Sequence, residues 1–220
     1  MTGAIGSPAL REHVITTARA LNARNLNRGK AGNVSTRVDG GFLVTPSGMA
    51  YDALLADDIV AVTDEGAIVG PRLPSSEWRL HQAIYAARSD VAAIVHAHSP
   101  FATALASLDR GIPPFHYMVA VAGGDDIRCA PYATFGTAEL AAHTVGALAS
   151  RRACLLAHHG LVAAGTSLDH ALALAVDVEA LAEIYCRALA IGEPAHLTTQ
   201  QMKAVAQQFA AYGQSDVSGE

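Results

Sequence analysis

The sequence predicts an α/β protein of three layers, a β-sheet held between helices. Three observations predict it. Capped helical stretches interleave with short strand-like apolar runs along the 220 residues. Hydrophobic residues make up 51% and charged ones 16%, enough apolar surface for a sizeable core. No internal repeat, low-complexity tract or Pro/Gly/Ser linker divides the chain, so one domain over residues 1–220 is expected.

The elements follow in order. Ser7-Pro8 is an N-cap with proline at the first helical position, opening a helix through roughly Leu26. "GFLVTPSG" reads as a strand entering a turn, and "DIVAVTDEGAIVG" as a hairpin around Asp64-Glu65-Gly66. A helix starts at Ser75-Ser76 and runs to about Arg88, with Leu80 and Ile84 on one face. The strand "VAAIVHAH" follows, and Ser99-Pro100 opens another helix. Thr137 starts a helix through Ala149, and "RACLLAHHGLVAAG" reads as two strands meeting at His159-Gly160. Thr166 or Ser167 caps a long helix with Leu174, Val178, Leu181 and Tyr185 at helical spacing. A last helix starts near Thr198 and carries Met202, Val205 and Phe209. The order of the strands is not legible in this pattern.

Composition excludes several functions. The formal charge is −5, with no basic cluster beyond Arg151-Arg152, so a nucleic-acid partner is not expected. That pair reads as cations complementing the end of the preceding helix. The N-terminus lacks a basic segment followed by an apolar run, and no stretch approaches the ~20 apolar residues of a membrane span. Cys129, Cys154 and Cys186 are odd in number and without CxxC spacing, which suits reduced thiols in the cytoplasm.

The chemistry is signalled by "IVHAHSP". In a strand, side chains two apart share a face, so His96 and His98 can grip one ion. Zinc takes three or four such ligands, and "AHHG" offers another at the end of a second strand. His158 and His159 project to opposite sides, so one of them joins the pair; spacing alone does not say which. Three imidazoles leave an open position, as in a catalytic zinc site. Glu77, in the first turn of the helix leading to the HAH strand, is the candidate base, although an acidic residue there also suits the helix dipole. Ser75 and Ser76, with the turns carrying Gly32-Asn33 and Ser47-Gly48, offer amides and hydroxyls for an anion without Lys or Arg. His13, His81, His116, His143, His170 and His196 lack such company and read as surface or structural.

The segments "GNVSTR", "LVTPSGM", "LPSSEWRLH", "IVHAHSP", "HYMVAVAGG", "CAPYATFGT" and "LLAHHGLVAAG" together resemble the class II aldolase/adducin superfamily, from about Arg11 to Tyr212. Within it the chain is similar to the fuculose phosphate aldolase branch. The resemblance implies a mixed, largely antiparallel central sheet. It implies Zn2+, or another divalent transition metal, held by His96, His98, His159 and Glu77, with Glu77 also the catalytic base. Gly32, Asn33, Ser47, Gly48, Ser75 and Ser76 fall on phosphate-binding positions. Tyr117 falls on the proton donor to the aldehyde, and Phe135, Phe209 and Tyr212 on the aldehyde pocket.

The implied activity is cleavage of a phosphorylated ketose, L-fuculose 1-phosphate first, to dihydroxyacetone phosphate and L-lactaldehyde through a metal-stabilised enediolate. A cyclic homotetramer with its sites between subunits is expected. Alternatives on the same scaffold are a 5-deoxyribulose-1-phosphate aldolase, a methylthioribulose-phosphate dehydratase and a 4-epimerase. The epimerase fits less well, since that branch carries aspartate where Glu77 stands. Least favoured is a non-enzymatic adducin-like interaction module.

Overall fold

The computed structural model describes residues 5–210. Eight strands form one sheet: β1 (Asn33–Val38), β2 (Gly41–Val44), β3 (Val60–Thr63), β4 (Ile68–Val69), β5 (Ala93–Ala97), β6 (Cys129–Ala130), β7 (Ala153–Leu156) and β8 (Gly160–Gly165). Their order is β4-β3-β2-β1-β5-β8-β7-β6. Every neighbouring pair is antiparallel except β6 and β7, so the sheet is mixed and largely antiparallel, as the resemblance implied.

Strand alternation builds two cores. Val34, Leu43, Ala61, Val95, Leu155 and Leu161 point to one side. There they pack against the helices α1 (Pro8–Ala23), α3 (Pro100–Ala106) and α5 (Leu168–Ile191). Val44, Val62, Ile94, Cys154 and Val162 point to the other side, under α2 (Trp78–Ala87) and α4 (Ala138–Ala147). α6 (Thr199–Ala210) adds Met202 to the first core. No helix among the described residues is long and apolar enough to cross a membrane.

Several boundaries differ from expectation for local reasons. α1 stops at Ala23 rather than near Leu26, because Asn25 takes a left-handed φ of 58°, a conformation asparagine tolerates. α2 begins at Trp78, and Glu77 itself is the cap residue; Ser75 and Ser76 lie before the helix. Ser167, not Thr166, caps α5 by accepting the His170 N–H. β1 grows directly out of the Gly32-Asn33 turn, and with β6 it had no signal of its own.

The Arg151-Arg152 pair does not serve the α4 dipole. Arg151 binds Asp125 and Asp126 at 2.7 Å each, and Arg152 donates to the Val121 carbonyl. The end of α4 is met instead by Arg88, whose Nη1 donates to the Leu148 carbonyl, and by Arg128, whose Nη1 donates to the Ala149 carbonyl, at 2.9 Å each. On α5, Glu179 accepts from Ser99 Oγ at 2.6 Å and from the Phe101 and Ala102 amides at 2.8 and 2.9 Å. That carboxylate caps α3 and fixes the chain immediately after His98.

Candidate metal centre and anion pocket

The sheet brings distant segments to one point. His96, on β5, pairs with Asn33 of β1 and Val162 of β8, and it is fully buried. His98 lies one residue past the end of β5, because its amide leaves the ladder and donates to Asn27 Oδ1 at 2.7 Å. His159 sits in the turn between β7 and β8. Its predecessor His158 holds a left-handed φ of 54°, and this turns the two rings apart. His159 faces His96 and His98, whereas His158 Nε2 stands 3.7 Å from Asp109. The turn thus resolves the choice that spacing left open.

Glu77, His96, His98 and His159 each direct one ligand atom into a space where these atoms lie within 4.8 Å of one another. His96 Nε2 is 2.9 Å from His98 Nε2 and 3.2 Å from Glu77 Oε2; His159 Nε2 is 3.3 Å from Glu77 Oε1. The three rings meet nearly edge-on, with centroids 4.7 to 4.8 Å apart. Ions that bind imidazole at ~2.0–2.1 Å separate their tetrahedral ligands by about 3.4 Å, close to this spacing.

Hydrogen bonding makes the fit chemical as well as geometric. His96 Nδ1 lies 2.8 Å from the Leu161 carbonyl, which can only accept, so Nδ1 carries a proton and Nε2 is the nitrogen turned inward for an ion. Nε2 and the carboxylate oxygen it faces share a positive charge, a proton on Nε2 or a metal ion in its place. Glu77 Oε1 is buried with no hydrogen-bond partner, a further demand for a cation. Burial pushes His98 and His159 down to about 4, with the neighbouring His96 charge adding to it, so both are neutral ligands near pH 7. Burial alone would raise Glu77, but His96 beside it outweighs this and holds the carboxyl well below its usual range. The residues fit a divalent transition metal.

Glu77, His98 and His159 open onto a cavity of about 400 Å³, whose other wall is formed by Gly32, Ser47, Gly48, Ser75 and Ser76. All six expected phosphate positions line it, but three in a different way from the expectation. The Ser47 amide is used by the Leu73 carbonyl and the Ser75 amide by the Thr45 carbonyl, at 3.0 Å each, leaving their hydroxyls to offer. The Asn33 side chain is taken up by Glu77 and His81. Gly32 takes φ +72°, and a Cβ there would stand 2.5 Å from the His96 carbonyl, so only glycine lets this turn close on the metal strand.

Lys30 also lines the cavity, a cation that the anion reading had left out; nothing in "RGKAGN" separates it from a surface lysine. Asn27 was missed for a similar reason, since its role appears only when β5 is in place. Phe135 and Tyr132 line the same cavity, and both rings are mostly exposed. Tyr117 and Phe209 do not line it. Tyr117 is 49% exposed on a 3-10 turn, and its ring lies 6.3 Å from that of Phe209 on α6. Tyr212 is outside the described residues.

Residues 12–186 match the family described as Class II Aldolase and Adducin N-terminal domain. The chain is 54% identical over 205 residues to a 5-methylthioribulose-1-phosphate/5-deoxyribulose-1-phosphate aldolase of Rhodospirillum rubrum, covering 93% of each chain. It is 46% identical to the L-fuculose phosphate aldolase of Escherichia coli, covering 93% of this chain and 95% of that one. A solved L-fuculose 1-phosphate aldolase superposes with a TM-score of 0.91 at 40% identity, covering 94% of this chain and all of that one. With the fold, the histidine cluster and these relatives in agreement, the chain belongs to the class II aldolase and adducin family.

Proposed function

We propose that this class II aldolase cleaves a ketose 1-phosphate between C3 and C4, releasing dihydroxyacetone phosphate and an aldehyde. The observation that carries the reading is that one cavity holds both the donor cluster and the turns suited to a phosphate. Cleavage leaves an electron pair on C3, beside the C2 ketone, while the C4 hydroxyl loses its proton and becomes the aldehyde. A divalent ion on His96, His98, His159 and Glu77, zinc fitting this donor set, supplies Lewis-acid stabilisation of that charge, worth several kcal/mol.

The chain does the rest. The Ser47, Ser75 and Ser76 hydroxyls, the Gly32 and Gly48 turns and the Lys30 ammonium hold the phosphate, turning remote binding into orientation of the C3–C4 bond. Glu77 returns a proton to C3 during cleavage and removes it from the same hydroxymethyl carbon during condensation. Oε1, which has no hydrogen-bond partner, is the oxygen suited to this once the carboxylate has left the ion on substrate binding. Tyr117 assists deprotonation of the C4 hydroxyl in cleavage and protonates the aldehyde oxygen in condensation. Its exposure, and its absence from the cavity of its own chain, support a site completed by a neighbouring subunit of a homotetramer. Phe209, beside Tyr117, would arrive with it.

A 5-deoxy or 5-methylthio pentulose phosphate is the preferred substrate. The 54% relative bears both names, and the Tyr132 and Phe135 rings suit an aldehyde without a further hydroxyl. L-Fuculose 1-phosphate, the first expectation from the sequence, is the second reading, supported by the 46% relative. A missing methylene or an added hydroxyl at an apolar wall is worth about 10–200-fold, so measurable activity on both is expected. The test is dihydroxyacetone phosphate release from 5-deoxyribulose, 5-methylthioribulose and L-fuculose 1-phosphates, with the aldehyde identified. Best kcat/KM on a pentulose phosphate is expected. Epimerised or dehydrated product without dihydroxyacetone phosphate would reject the aldolase reading.

A further inference from the structure

Behind Glu77 lies a row of buried polar side chains that the cleavage chemistry does not use. Asn33 Nδ2 donates to Glu77 Oε2 at 3.0 Å, and Asn33 Oδ1 meets His81 Nε2. His81 Nδ1 is 2.6 Å from Ser35 Oγ, which is 2.7 Å from the Tyr85 hydroxyl. His81 and Ser35 are fully buried; Asn33, Tyr85 and Glu77 are 2%, 5% and 6% exposed. Groups placed so deep must each find a partner of the correct kind.

The carboxylate at one end decides every donor in the row. Ionised Glu77 Oε2 can only accept, so Asn33 presents its NH2 there and its Oδ1 to His81. Oδ1 can only accept, so His81 Nε2 carries the proton. A neutral imidazole then has its lone pair on Nδ1, and Ser35 must donate to it; Ser35 Oγ in turn accepts from Tyr85. Burial agrees, holding His81 neutral by pushing it down to about 3. Every hydrogen bond therefore points toward the carboxylate. The result distinguishes the two oxygens of Glu77: Oε2 is tied through Asn33, while Oε1 has no hydrogen-bond partner.

We infer that His81 is a positioning residue for catalysis: through its Nε2–H it locks the Asn33 amide so that Nδ2 anchors Glu77 Oε2 and Oε1 is left to carry the proton. The inference rests on the proposed role of Glu77. Without the His81 donor, Asn33 Oδ1 is left buried with its partner gone, and the amide is held by the carboxylate alone. The anchor would loosen, although phosphate contacts and fold need not change.

Two variants and one spectrum test this. Loss of a hydrogen bond that orients a metal ligand or base costs about 10–100-fold, so His81→Leu should lower kcat per bound metal by that factor with little change in KM. His81→Gln, whose amide places a donor where Nε2 stood, should restore most of the rate. A purely structural role would lower yield and stability but leave kcat per bound metal alone. Unchanged kcat per metal in His81→Leu, or equal loss in His81→Gln, overturns the proposal. Imidazole 15N spectra, with zinc bound and after chelation, should show His81 as the Nε2–H tautomer, assigned by its disappearance in His81→Gln. An Nδ1–H tautomer overturns the proposal whatever the variants do. Should the unaltered enzyme cleave no ketose phosphate, the functional reading fails, and the tautomer alone decides the relay.

Discussion

Glu77→Gln is expected to lower the cleavage rate by about 10²–10⁴-fold while the protein still folds, since this is what a positioned acid–base group contributes. The change is nearly isosteric in a site 6% exposed, and an amide oxygen can still accept from Asn33 Nδ2. The oxygen that carries the proton is replaced by an NH2 facing His159 Nε2, 3.3 Å away from Oε1 in the native chain. Three imidazoles remain to bind metal, so turnover is to be expressed per bound ion, with thermal unfolding as the control for folding. Near-normal cleavage by metal-loaded Glu77→Gln would remove this carboxylate from the chemistry.

His159→Ala is expected to lose most bound metal and nearly all cleavage, whereas His158→Ala, which alters only the cavity wall beside Tyr132, keeps its metal. The contrast follows from a single left-handed residue. With φ of 54° at His158, only the second ring of the pair reaches His96 and His98. His158 cannot take over without undoing that turn, in which its own amide donates to the Ala106 carbonyl at 2.9 Å. Metal content of the two purified variants, measured beside their activity, checks this. Equal metal loss in both would mean that the turn does not separate their roles.

How much of this the sequence carried depended on the range of the physics involved. His96 and His98 were legible because a strand repeats every two residues, a purely local rule. Helix starts at Pro8, Ala138 and Leu168 were legible because their caps are local as well. The choice of His159 over His158 was not, because it depends on one backbone torsion. β1 was hidden behind a Gly-Asn dipeptide that reads as a turn, although Asn33 already pairs with His96 of β5. Asn33 lines the cavity, yet its side chain serves the carboxylate and His81, a fact set by pairing between distant strands. His81 looked like an isolated histidine; its place four residues after Glu77, one helical turn on, was the available sign. The resemblance supplied what no local rule could, the sheet type and the functional roles assigned to Tyr117 and Phe135.

Diffraction from zinc-loaded crystals at the zinc absorption edge addresses the metal centre most directly. One anomalous peak per chain is expected, within bonding distance of Nε2 of His96, His98 and His159, and absent after chelation together with cleavage activity. Zinc bound elsewhere, or full activity from protein with these three nitrogens unmetallated, would contradict the proposed centre.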